Sequence, residues 1–232
     1  MKIENILNDN IGELELVDAM GNDLSVVNAA RISYGGGSDV YGPGDKKLIN
    51  YLAANRHTSP FRHAFLSFRI LAPEFVLRQW YKHVIGCSWI TPEFYNHGWN
   101  EISGRYKEVE PRFYLPPIFK SQSSNSKQAS GDPLNEQSEC YAEMVHATST
   151  AVKAYETLIG LGVSKEQARL VLPISFYTEV IWTASLQSLA HFCSLRDHEH
   201  AQEEIREYAK ALSIICKERF PDSWEALTKE DN

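Results

Sequence analysis

An α+β fold, with a mixed or antiparallel sheet flanked by long helices, follows from three features of the sequence. Period-2 alternation near 12–17 and 64–70, and a β-branched and aromatic run over 174–182, read as strands. Helical spacing fills most of the remainder, without regular strand–helix–strand alternation. The glycine clusters at 35–37 and at Gly42-Pro43-Gly44 lack a following Lys-Ser/Thr, and no GxGxxG opens a helix, so the fold is not of the Rossmann type. The 232 residues are taken as one domain, 1–232.

Residues 12–17 alternate charged and apolar side chains (Glu13, Leu14, Glu15, Leu16), the pattern of an edge strand. Asn22 or Asp23 caps a helix carrying Val26, Val27, Ala29 and Ala30, which runs through Arg31-Ile32-Ser33-Tyr34 to the glycines. Asp45 is expected to cap a second helix with Leu48, Ile49, Leu52 and Ala53 on one face, ending near His57 and stopped by Pro60. Ala64, Leu66, Phe68 and Ile70 alternate with Phe65, Ser67 and Arg69, a strand with at least one buried face. Pro73 suits the first turn of a helix whose Val76, Leu77, Trp80, Tyr81 and Val84 share one side. Arg78 and Lys82, four residues apart, share the other side with Gln79 and His83. Gly86 and Thr91-Pro92 open an irregular loop that Asn96-His97-Gly98 closes.

Residues 119–138 are expected to be a flexible surface insertion, because 121–133 is rich in Ser, Gln, Asn and Gly. A helical half follows. Tyr141, Met144, Val145, Val152, Tyr155, Leu158 and Ile159 make one stripe, ended by Gly160 and Gly162. Ser164 and Gln167 suggest a capping box for a short helix through Leu172, cut by Pro173. Beyond the strand at 174–182, residues 185–195 and 200–220 read as helices, the second with Ala201, Ile205, Tyr208, Leu212 and Ile215 inward.

The formal charge of −7 argues against non-specific nucleic-acid binding, which needs a basic face. A local cluster of cations still suits a small anion. Cys87, Cys140, Cys193 and Cys216 form no CxxC pair, and the polar start MKIENILNDN carries no apolar segment. No run of about 18 apolar residues marks a membrane span. The expectation is a cytoplasmic chain with free thiols.

The stretch 78–106 gathers Arg78, Lys82, His83, Glu101, Ser103 and Arg105 among aromatic side chains. Cations and hydroxyls suit a phosphate and flat rings suit a heterocycle, so it reads as a nucleotide site. Other constellations are weaker. His191, Cys193, His198 and His200 have HxC and HxH spacings, unlike the i, i+4 ligand pairs of helical zinc sites, so no metal is expected. Cys87 lies four residues from His83, but in a loop, and is read as an unreactive thiol rather than a nucleophile. Arg169 and Arg196 each read as helix-surface charges unless they meet the first cluster in space.

Arg78-Gln79-Trp80 followed by Lys82-His83, then Asn100-Glu101 and Ser103-Gly104-Arg105-Tyr106, resembles the signature of the flavin-dependent thymidylate synthases. His57-Thr58-Ser59-Pro60-Phe61 is similar to that family's His-x-Thr-Pro-Phe segment. Arg169, Leu172-Pro173, Tyr177-Thr178, Trp182-Thr183, Ser188-Leu189, Phe192 and Leu195-Arg196 follow its C-terminal half in order and spacing. The resemblance spans the chain except for 85–99 and 119–138.

The resemblance implies methylation of dUMP at C5 to give dTMP. The carbon would come from 5,10-methylenetetrahydrofolate and the hydride from FAD reduced by NADPH. It implies a homotetramer with sites shared between subunits. Gln79, Lys82, Glu101, Ser103, Gly104 and Arg105 would hold dUMP, with Arg169 arriving from another subunit. Arg196 would act catalytically, contacting the uracil edge and favouring its ionised form. His57, Ser59, Lys82, His83, Val84, Glu101, Ser185, Gln187 and His191 would line the flavin.

Departures concentrate on the flavin side. Lys82-His83-Val84 stands for Arg-His-Arg, and Ser185, Gln187 and His191 stand where Asn, Arg and Asn are common. Lysine keeps charge but loses the bidentate fork. The lengthened aromatic loop (Trp89, Phe94, Tyr95, Trp99) is expected to supply stacking in place of lost cationic contacts to the diphosphate. Rival outcomes on the same residues are a deoxypyrimidine-nucleotide hydroxymethyltransferase or an inactive dUMP-binding paralogue.

Overall fold

The computed structural model describes residues 1–84, 98–124 and 130–229. In chain order the elements are β1 (Lys2–Glu4), β2 (Glu13–Met20), α1 (Asp23–Arg31), α2 (Pro43–Ala54), β3 (Phe65–Pro73), α3 (Glu74–Trp80) and β4 (Gly98–Glu101). There follow β5 (Lys120–Gln122), β6 (Ser130–Pro133), α4 (Gln137–Gly160), α5 (Lys165–Ala168), β7 (Tyr177–Ser185), α6 (Leu186–Arg196), α7 (Glu203–Arg219) and α8 (Pro221–Thr228). The main sheet has the order β1-β2-β3-β7-β4 and every pairing in it is antiparallel.

Alternation in β3 buries Leu66, Phe68 and Ile70 completely, as their period-2 spacing demands. Beside them, β7 buries Val180, Trp182 and Ala184. The pair runs from Phe65↔Ser185 to Pro73↔Tyr177 without a slip. Trp80 from α3 stacks on Phe192 from α6 with centroids 4.5 Å apart, and meets Trp182 edge-on at 5.5 Å. Tyr208 of α7 closes the cluster at 5.9 Å from Trp80, and its hydroxyl donates to Leu71 O at 2.6 Å. A Cβ at Gly12 would stand 2.5 Å from that hydroxyl, so only glycine lets the chain pass there.

Several sequence expectations are corrected. β2 is not an edge strand, because β1 pairs with it through Ile3↔Leu14. α2 is capped by Gly42, with Asp45 at the third helical position accepting from Gly42 N at 2.8 Å. The strand placed at 174–182 lies three residues later, at 177–185, because Pro173 and Ile174 belong to the turn that accepts from Phe75 and Phe176. Ser164 caps α5 through its backbone only. The end of the loop before Glu101 is a strand: Gly98 packs against Thr183, where a Cβ would meet the Thr183 Cβ at 3.0 Å. Within 119–138, β5 and β6 pair as a two-stranded ribbon.

The apolar stripe of α4 is not core. Tyr155 is buried, but Tyr141 is 51% exposed and Val145 36%. The final helix α8 was not anticipated, although Pro221 at its first turn marks the start. Its first turn is held by Asp23, whose carboxylate accepts from Asp222 N at 3.0 Å and Ser223 N at 2.9 Å. Asp23→Ala should therefore destabilise the protein by about 1–2 kcal/mol, the cost of a lost helix cap. Chemical denaturation measures this, and an unchanged midpoint and slope would reject the role.

Candidate functional site

α3 folds back over the sheet and ends at Trp80, so Lys82 and His83 sit in the turn beyond it. Phe192 holds the His83 ring edge-on at 5.0 Å. Arg196, the last residue of α6, donates from Nε to His83 Nε2 at 3.0 Å. Accepting that bond requires His83 neutral with its proton on Nδ1. Burial pushes His83 down to about 4, and the Arg196 charge and His191 act in the same direction. Burial also lowers Arg196 from its usual range. A neutral imidazole therefore aims a charged guanidinium.

Gln79 does not face this pair. Its amide donates to Gln202 Oε1 at 2.6 Å and ties α3 to the residue before α7. Lys82 lines an open cavity of about 500 Å³ with Glu74, Leu77, Arg78, Tyr81, Trp99 and Glu101. Glu101 comes from β4, where Thr178 of β7 donates to it at 3.0 Å. Burial and then the charge of Glu74 raise its carboxyl above the usual range, opposed by that hydrogen bond and by Arg169.

A second cavity, of about 420 Å³, shares Glu74, Arg78 and Glu101 with the first and adds Gly104, Arg169 and Thr178. The turn after β4 is closed by Tyr106 N to Ser103 O at 3.1 Å, and Arg105 N bonds Ser103 Oγ at 3.3 Å. Among the described residues the amides of Ser103 and Gly104 have no acceptor. A Cβ at Gly104 would lie 3.2 Å from Arg169 Cδ. Arg169 is thus a neighbour of Gly104 within one chain. Arg105 is exposed, pairs with Glu166 at 3.3 Å and covers the Tyr106 ring.

The third group surrounds a groove of about 840 Å³ lined by Arg56, Thr58, Gln187, His191, Glu225 and Lys229, among others. His191 joins it to the first group, its ring 6.4 Å from His83. Ser59 opens a 3-10 turn beside Thr58, and His57 packs edge-on against Tyr51 at 5.9 Å. Ser185 is fully buried and caps α6, accepting from Ser188 N at 3.3 Å. It lies behind the groove, where it sets the direction of the helix that carries Gln187 and His191. Val84 is half-buried beyond His83.

Sequence reasoning missed Glu74 and Arg62. Glu74 faces two cavities, and its i, i+4 spacing to Arg78 (3.2 Å) was the available signal. Arg62 donates from Nε to Gln187 Oε1 at 2.5 Å, across 125 residues of chain, with no local sequence signal. Trp99 lies 6.3 Å from the Tyr81 ring. Trp89, Phe94, Tyr95 and Cys87 fall outside the described residues. Cys193 is buried with its thiol on Ala209 O at 3.4 Å, while His198 and His200 lie together in an exposed turn, rings 5.0 Å apart.

Because His83 is neutral when folded, the unfolded chain binds the extra proton between pH 6.5 and 4. This contribution to stability is full above about pH 6.5 and is lost as pH falls towards 4. The His83 resonance should titrate near pH 4 by NMR, and His83→Gln should flatten acid sensitivity in that window. Titration at the ordinary value of 6.5 would reject the geometry.

The family model described as "Thymidylate synthase complementing protein" matches residues 15–222. A flavin-dependent thymidylate synthase from Thermus thermophilus is 42% identical over 216 residues, covering 93% of this chain and 75% of that protein. One from Thermosipho melanesiensis is 38% identical over 220 residues, covering 94% and 91%. Among solved structures, a UMP/dUMP methylase, PolB from Streptomyces cacaoi, bound with 5-Br dUMP, aligns with a TM-score of 0.80 at 32% identity, covering 93% of this chain and 94% of that one.

Proposed function

The chain belongs to the thymidylate synthase complementing family, whose curated relatives are flavin-dependent thymidylate synthases, and on that premise we propose that it methylates dUMP to dTMP. The observation that carries the residue-level reading is the Ser103–Gly104 turn. Its two amides have no acceptor among the described residues, and Gly104 lies beside Arg169 in a cavity that shares Glu74, Arg78 and Glu101 with the one Lys82 lines. Backbone N–H groups and guanidinium forks are what a nucleotide phosphate needs.

Ser103, Gly104, Arg105 and Arg169 would grip the phosphate. Arg105 must exchange its exposed pairing with Glu166 for the ligand, a small loss because such surface pairs contribute little. Lys82 and Glu101 would approach the nucleotide from the cavity they both line. Burial and the Glu74 charge disfavour the charged form of Glu101, which lessens the repulsion an anion meets there. Gln79 would act by locking α3 to Gln202, and could turn to the nucleotide only by leaving it.

The residues fit a flavin dinucleotide. The groove is lined by the polar Gln187, His191 and Thr58 and by the cations Arg56 and Lys229, and the His191 ring lies 6.4 Å from that of His83. His57, Ser59, Lys82, His83, Val84, Glu101, Gln187 and His191 would hold it, with Ser185 acting through its cap on α6. FAD bound there and reduced by NADPH supplies the hydride, and 5,10-methylenetetrahydrofolate supplies the carbon. Arg196 places its charge at the uracil edge, lowering the cost of negative charge on the ring. Neutral His83 holds that guanidinium without sharing its charge. Cys193 and Cys216 are buried and burial raises both thiols, so neither is suited to attack the ring.

Incubation with dUMP, methylenetetrahydrofolate and NADPH should give dTMP by mass spectrometry. A hydroxymethylated product, or none, would overturn the reading. Arg196→Ala should lower kcat by roughly 10²–10³, the usual cost of losing a charge-stabilising donor. Unaltered kcat would remove Arg196 from the catalytic role.

A homotetramer with shared sites is part of the same proposal. It is supported by the exposed apolar stripe of α4, with Tyr141 and Val145 outward, beside exposed Leu161 and Leu170. Light scattering should give four times the 26.4 kDa chain mass. A monomer at assay concentration would reject it.

A further inference from the structure

We propose that Arg62 is a binding residue for the diphosphate of FAD, supplying from the 3-10 turn at Ser59–His63 a guanidinium that α6 does not carry. The inference rests on the flavin groove of the proposed function. Three observations support it.

The first is the partner. Arg62 Nε donates to the Gln187 amide oxygen, and Gln187 lines the groove one helical turn before His191. A carboxylate in that place would orient the guanidinium and cancel its charge. An amide oxygen orients it and leaves the charge whole. Among the described residues the two terminal nitrogens of Arg62 have no other partner. One edge of the fork is fixed and the other remains for a ligand.

The second is the rigidity of the support. Pro60 and Phe61 are buried, and Phe61 N bonds Thr58 O at 3.1 Å. Directly after the turn, Ala64 O accepts from Leu186 N at 2.9 Å, so the turn is fastened to the first residue of α6. Arg62 and Gln187 are therefore held together by backbone as well as by their own bond. A binding group on such a base loses little entropy on engaging a ligand.

The third is the charge of the groove. Arg56, Lys229 and Glu225 are among its lining residues. Arg62, tied to the lining residue Gln187, adds a further cation, which favours an anionic ligand. A flavin carries its anionic charge in the diphosphate, and a guanidinium fork matches phosphate oxygens two at a time.

The test is titration of deflavinated protein with FAD and with riboflavin, read by flavin fluorescence. Arg62→Ala should weaken FAD by roughly ten- to a hundredfold, the value of a charge-assisted hydrogen bond, and leave riboflavin unchanged. Adding Gln187→Arg to that variant returns a guanidinium from the other side of the same contact, and should recover most of the FAD affinity. Arg62→Gln provides the same comparison if the alanine variant does not fold. Equal FAD affinity in wild type and variant would overturn the inference alone, as would an equal loss of FAD and riboflavin. Wild-type protein that binds no FAD would overturn the functional reading and this inference together.

Discussion

The antiparallel pairing of β3 with β7 is the constraint on which the site depends. Each strand runs directly into a helix, β3 into α3 and β7 into α6, so the two helices start at opposite ends of the pair. Nine paired residues span about 26 Å. Seven residues of α3 and eleven of α6 give about 10 and 16 Å of helix. Folding back over the sheet, the helices meet end to end near the middle of the strands. Trp80 at the end of α3 accordingly touches Trp182, whose partner in the ladder is the mid-strand Phe68. His83 and Arg196, just beyond that meeting point, are brought to 3.0 Å. A register slip of one residue would turn Trp182 to the other face and separate them.

The same sheet imposes the electrostatics of the nucleotide side. β4 lies on the far edge of β7 and carries Glu101 to Thr178, while Glu74 follows β3. Two carboxylates therefore face common cavities, and each needs a compensating group. Arg78 serves Glu74 by an exposed ion pair, and Arg169 reaches Glu101 at longer range. The Ser103–Gly104 turn follows directly on the end of β4, which carries Glu101.

Much of this was legible in the sequence, for identifiable reasons. The alternation of Leu66, Phe68 and Ile70 is a strong period, and the structure buries all three. α1 starts where Asn22 caps it, and Ile205, Tyr208, Leu212 and Ile215 face inward as spaced. Short elements were illegible. Three residues suffice for β1 and four for β4, too few for a period, and Gly98 and Asn100 resemble turn residues until Thr183 and Ile181 of β7 pair with them. The α4 stripe was legible as a helix face but not as an exposed one, since periodicity does not say what covers a face. In the site, residues adjacent in sequence to a motif were found and those joined by tertiary contact were not. His83 and Arg196 were each named, but their bond was not. Arg62, whose partner is 125 residues away, passed unnoticed, and so did Glu74 despite its local spacing to Arg78.

On the proposed reading, the departures from the family pattern on the flavin side leave a site that can hold the cofactor. Ser185 keeps a structural role that any good cap residue fulfils, holding the start of α6. His191 places a ring against His83, so the wall between the two regions remains aromatic and polar. Gln187 gives up a charge, but its amide fastens Arg62 beside the groove, and the charge arrives from a different segment. On the proposed reading a cation still stands beside the first turn of α6, borne by Arg62 of the neighbouring 3-10 turn rather than by a residue of the helix. A motif written along one helix cannot register such an exchange. The fastening of the 3-10 turn to Leu186 makes it sterically simple, because both sides of the contact rest on one backbone junction.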